Sequence, residues 1–152
     1  MSTAIRTAIV ALLKTVPGIG EVHDRERYSA TDKDLRALYG VDRLRGWHVV
    51  RVGRRESADF SVVETDWEIR GFMAFDDRSQ SGLAFDGLID AIVDAWRADP
   101  KLGDLVMWPQ DGQPIVPSLT DAGPVMFAGV LCHSCRLKHT TRHRLDLPGR
   151  WD

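Results

Sequence analysis

The stretch at residues 83–96 constrains the fold more than any other part of the chain. Leu83, Phe85, Leu88, Ile89, Ile92, Val93 and Trp96 recur at three- and four-residue spacing, and Asp86, Asp90 and Asp94 recur four apart between them. An α-helix sorts these two sets onto different faces, one for a core and one for water. Asp99-Pro100 and Gly103 end it. A second amphipathic helix opens the chain. Ile5, Ala8, Ile9, Leu12, Leu13 and Val16 make its apolar face, Ser2 or Thr3 offers a cap, and Pro17 with Gly18 and Gly20 stops it.

Elsewhere the pattern changes to short β-branched and aromatic runs. Residues 47–52 (WHVVRV) read as a strand and 53–57 as a polar turn. Residues 60–75 read as one or two strands, with WEIRGFMAF the clearest part and Gly71 marking a bulge. Residues 76–81 are a polar break. After the central helix come short strands at 105–108 and 115–119 and a long one at about 125–138, with turns at Asp111-Gly112 and Ala122-Gly123-Pro124. The order predicts an α+β fold in which two helices pack on one face of a mainly antiparallel sheet.

A length of 152 residues fits one domain, drawn at 1–139. A loose tail is expected at 140–152, so truncation after Thr141 should leave folding intact. Residues 25–46 form a long charged insertion. Arg25, Arg27, Lys33, Arg36, Arg43 and Arg45 stand against Glu26, Asp32, Asp34 and Asp42, with Leu35, Leu38 and Tyr39 enough for one short helix from about Asp32. Long polar loops of this kind are usually functional or mobile.

Composition removes several classes. No apolar run approaches the 18 or so residues of a membrane span, and residues 1–14 lack the basic start and cleavage site of a signal peptide. Two cysteines make no disulfide scaffold. The formal net charge of −2 gives no strong field towards nucleic acid. The basic residues are 16 Arg and 4 Lys, a bias that suits guanidinium-rich interfaces and equally a GC-rich genome.

Candidate chemistry is sparse. Cys132, Cys135, His139 and His143 supply four possible zinc ligands, but only three residues separate Cys135 from His139, and positions 132 and 135 of a strand point to opposite faces. Two small buried thiols are the simpler reading, and no metal or other cofactor is expected. Gly18-Ile19-Gly20 follows a helix and lacks the rest of a phosphate loop. Neither G-x-S-x-G nor H-E-x-x-H occurs. The Asp86, Asp90 and Asp94 stripe is either a solvated face, a dock for a partner's arginines or a cation ladder. Trp67 and Trp96 fit the core. Trp47 and Trp108 are also expected to be buried, with an exposed interface anchor as the alternative for either. These features favour an assembly protein over an enzyme.

Taken in order, several pieces resemble the tail terminator proteins of long-tailed bacteriophages, the minor tail protein U type. They are AIRTAIVALLKTVPGIGEVHD, a charged loop, GWHVVRV, WEIRGFMAFDD, LIDAIVDAWRADPKLGDLV, and AGPVMFAGVLCHSCRL, together covering about residues 4–138. The resemblance lies in order and spacing. It implies a homohexameric ring at the head-proximal end of the tail, made in the host bacterial cytoplasm and carried in the virion. Such a ring ends tube polymerisation and joins the tail tube protein to the head–tail connector, with no membrane and no sequence-specific nucleic acid, although the genome passes through its lumen. A head–tail connector or tail-completion protein is the neighbouring reading, and a small metal-binding domain or enzyme the distant one. A ring interface is expected to use Arg25, Arg27, Arg43 and Arg45 against Asp86, Asp90 and Asp94, with an exposed sheet edge.

Overall fold

A computed structural model describes residues 1–40, 43–58 and 61–145; Asp42, Phe60 and residues 146–152 of the expected tail lie outside them. The described residues form an α+β fold with three helices and a five-stranded, mostly antiparallel sheet. In chain order the elements are α1 (Ser2–Lys14), β1 (Glu21–His23), α2 (Asp32–Leu38), β2 (Arg45–Glu56), β3 (Val62–Ala74), α3 (Ser81–Ala98), β4 (Ser118–Phe127) and β5 (Val130–Arg144). The sheet order is β1-β2-β3-β5-β4, and β1 alone runs parallel to its neighbour.

The core follows the two periodicities. Ile5, Ile9 and Leu13 of α1 and Phe85, Leu88, Ile89, Ile92 and Trp96 of α3 are buried in one cluster. They meet alternate strand residues there: Trp47 and Val49 of β2, Trp67, Ile69 and Met73 of β3, and Cys135 and Leu137 of β5. Leu83, expected on that apolar face, is exposed instead, because it sits in the first turn of α3 beyond the edge of the cluster. The α1 cap is Met1, with no side-chain bond from Ser2 or Thr3 to the helix start.

The charged segment 25–46 is not a free loop over its described length. Thr31 caps α2 by accepting the Asp34 N–H. Beyond it Tyr39 and Leu44 are buried with Cys132 and Ala128 in a second cluster, on the face of the sheet that Phe72 and Ala74 share. Tyr39 bonds His48 at 2.9 Å, and Arg36 donates to the Ala128 carbonyl at 2.8 Å. A few apolar anchors thus dock a mostly polar segment.

Four expectations for the strands are corrected by the structure. Residues 53–56 continue β2 past a bulge between Arg51 and Gly53. Gly71 marks no bulge, since β3 pairs regularly through it. Residues 105–108 contribute a single bridge, Met107 to Arg142. Ala122-Gly123-Pro124 lies inside β4, and the reversal falls at Ala128-Gly129, whose φ values of 52° and 76° give a two-residue hairpin. Pro124 is tolerated because β4 is an edge strand.

The expected tail is strand as far as Arg144, pairing with Val62, Val63 and Glu64 of β3. Thr141 accepts the Trp67 indole N–H at 2.9 Å, and His143 is buried. Truncation after Thr141 is therefore expected to cost about 2–3 kcal/mol, the scale of losing a buried side chain with its ladder bonds. A thermal melt unchanged from the full chain would show that this end carries no stability.

Candidate functional site

The most exposed element is β4. Among the described residues it bonds only to β5, which leaves its other edge unpaired along ten residues. That edge is interrupted twice. A register shift lies between Leu119 and Asp121, and Pro124 offers no N–H. Proteins use these devices to keep an open edge from recruiting further strands. The surface therefore meets a partner through side chains more readily than through a continued ladder.

Apolar side chains crowd one end of this edge. Met126 and Leu131 on the β4–β5 hairpin, Phe75 after β3 and Leu83 at the start of α3 are all exposed, at 63%, 49%, 44% and 69%. Patches of this kind commonly mark binding surfaces. Beside them a groove of about 610 Å³ runs between the first turn of α3 and β4, lined by Phe75, Leu83, Phe85, Pro124 and His133, with Asp77 and Asp86 also on its walls. The His133 ring stacks on Phe75 at 3.7 Å between centroids and on Phe85 at 5.8 Å.

Ser81 meets His133 at this groove, with Oγ 2.8 Å from Nε2. The same Oγ accepts the Asp76 N–H at 2.8 Å, and Ser81 is only 4% exposed. The hydroxyl joins a backbone N–H on one side and the imidazole on the other. Ser81 is thus a staple between the residues before α3 and β5. Sequence reasoning did not pair these two residues, because 52 positions separate them.

The expected interface residues fall into two separate groups. Arg25 pairs with Asp24 at 2.7 Å, and Arg43 with Asp76 at 2.5 Å. Arg27 reaches His23 Nδ1 at 3.5 Å, and Arg45 donates to the Gly18 carbonyl at 3.0 Å. Asp86, Asp90 and Asp94 line the exposed side of α3, where Asp94 pairs with Arg97 at 2.6 Å. Among the described residues no ion pair joins the four arginines to the stripe. Each arginine has a partner within its own chain, so the arginine set is a weaker candidate for contacts between chains than its charge suggests.

The cysteine and histidine set is also dispersed. Cys132 lies with Tyr39 and Leu44 on one face of the sheet, and Cys135 lies in the α1–α3 cluster on the other. His139 and His143 share the Cys135 face at four-residue steps, about 13 Å apart along a strand. His139 meets Trp96 edge-on at 4.9 Å. Among the described residues no group of three or more His, Cys, Asp or Glu is placed to hold a metal ion. Burial pushes the thiols up, to about 11 for Cys132 and about 12 for Cys135. Neither thiol is expected to react with a soluble alkylating reagent at pH 8 until the protein is denatured; mass spectrometry of native labelling would show this, and rapid native labelling would contradict it.

Trp47 is fully buried, whereas Trp108 is 55% exposed. It sits past the end of α3, where Lys101 lies 5.9 Å from its ring. On the sheet face opposite α3, Arg55 bonds Glu64 at 2.6 Å and Asp66 at 2.8 Å, and Arg70 bonds Glu68 at 2.6 Å. This network was not legible in the sequence, since it depends on the register of β2 against β3. Among the described residues no helix is long and apolar enough to cross a membrane. No protein-family model and no curated protein matches the chain.

Proposed function

We propose that the chain is a tail terminator of a long-tailed bacteriophage, a structural virion protein that closes the head-proximal end of the tail tube. In this reading α1 and α3 form the layer over one face of the sheet, and segment 25–46 is the family's variable charged loop, docked by α2. Copies assemble as a homohexameric ring that touches the tube protein on one side and the connector on the other.

The observation that carries the reading is the β4 edge. A tube grows because each ring presents the surface that the next ring needs. A terminator must dock firmly and then offer no continuation, so the surface it shows must work against a further copy. An exposed edge with apolar side chains at its end and an interrupted backbone suits that task.

Electron microscopy of particles from a phage genome with this gene disrupted tests it. Overlong tubes without heads are expected, because length control is lost. Tails of normal length beside filled, unjoined heads would favour a connector. Normal virions would overturn both.

A further inference from the structure

We propose that neighbouring copies of this chain join head to tail, with Trp108 of one copy seated in the groove between α3 and β4 of the next. The inference rests on the ring reading and names its contact. The 18 residues of α3 span about 27 Å at 1.5 Å per residue. The groove lies at the first turn of that helix, and Trp108 lies beyond its last. Knob and groove therefore occupy opposite ends of one molecule. A knob and a groove this far apart suit a head-to-tail, heterologous contact, the kind that closes rings.

Trp108 is built as a knob. More than half of it is exposed, while its backbone is fixed on both sides of the indole. Met107 N–H donates to the Arg142 carbonyl at 2.7 Å, Arg142 donates to the Trp108 carbonyl at 3.4 Å, and Pro109 limits the next φ. A held aromatic loses little freedom on docking. The groove offers Phe75, Leu83, Phe85 and Pro124 as its apolar lining.

The charges match as well. Around Trp108 stand Lys101, Arg142 and Arg144 against Asp104 and Asp111; Lys101 pairs with Asp104 at 3.3 Å and Arg142 lies 3.8 Å from Glu64, so the basic excess rests mainly on Arg144. The groove carries Asp77 and Asp86 and is lined by no Lys or Arg among the described residues. A basic rim on an aromatic knob thus faces an acidic rim on an apolar groove, which sets both orientation and partner.

The test uses the full chain and two variants at exposed positions, Trp108→Ala and Leu83→Arg, each first shown to melt like the wild type. Mass photometry across a concentration series reads assembly. Wild type is expected to form closed oligomers, and each variant alone to associate about tenfold or more weakly, as for a central aromatic anchor. Mixed together, the variants should form one-to-one dimers, since one keeps the groove and the other keeps the knob. Wild-type oligomers with an unaffected Trp108→Ala, or a mixture that stays monomeric, would overturn this contact and leave the ring standing. A wild type that stays monomeric throughout would overturn both.

Discussion

Replacing Gly71 with alanine is expected to cost about 3 kcal/mol, at the upper end for overpacking a core, and to lower the melting temperature by roughly 6–12 °C for a chain of this size. Gly71 pairs with Trp47 across β2 and β3. A Cβ at Gly71 would stand 2.2 Å from the Trp47 ring. That ring cannot move aside. It is fully buried, stacks on Phe85 at 5.6 Å and donates its indole N–H to the Ile19 carbonyl at 2.9 Å. The same contact makes a second prediction possible in a double mutant. Trp47→Leu should destabilise alone, yet in the Gly71→Ala background it should cost at least 1 kcal/mol less, because the clash has gone. Urea unfolding of the four proteins measures this. Gly71→Ala within about 0.5 kcal/mol of wild type would show that the ring does not pack on the glycine.

Acid should unfold the protein well above the carboxylate range. His48 and His139 are almost fully buried, and burial lowers each from about 6.5 to about 4; the bond His139 makes to the Val116 backbone opposes its shift without cancelling it. Burial also lowers His143. A base with a depressed folded-state pKa binds more protons when unfolded. Its contribution is therefore complete above about 6.5 and is lost as pH falls towards 4. For His48 and His139 this is roughly 3 kcal/mol each, against a total of about 5–15 kcal/mol for a typical domain. Urea midpoints measured from pH 7.5 to 4 should fall steeply below pH 6.5, and His139→Phe should remove roughly half of the slope. A flat profile through that range would mean that these rings are solvated. His48 has a further cost, since its Nε2 is buried without a partner while Nδ1 is held by Tyr39.

The helices were legible because their signal is local. The apolar faces of 5–16 and 83–96 follow from spacing alone, and both helices lie where the spacing puts them, with Leu83 alone turned outward at the start of the second. The sheet was legible in content and less so in its turns. Ala122-Gly123-Pro124 carries stronger turn chemistry than Ala128-Gly129, yet the chain reverses at the second. An edge strand tolerates a proline, and the hairpin is set by pairing Phe127 with Val130. Gly71 reads as a bulge by its type, whereas it marks a close approach to a tryptophan 24 positions away that only register brings across. The tail beyond Thr140 looked loose because its residues are polar. Among its described residues Thr141 and His143 face inward.

The candidate surface was harder to read than the fold. Arginine and aspartate counts suggested partners for each other, but Arg25 and Arg43 are satisfied by Asp24 and Asp76, within reach along their own chain. The exposed residues that stand out are apolar: spacing puts Leu83 in the core and residue type puts Trp108 there, yet both face outward. Exposure of a single side chain at a helix end or in a loop has no periodic signature, so the sequence cannot mark it.

The central claim is position in the virion, and immunogold electron microscopy with an antibody raised against the purified chain tests it directly. The account predicts label at one site per particle, where the tail meets the head, and label at one end of tails that lack heads. Label spread along the tube, confined to the distal tip, or missing from purified virions would contradict it.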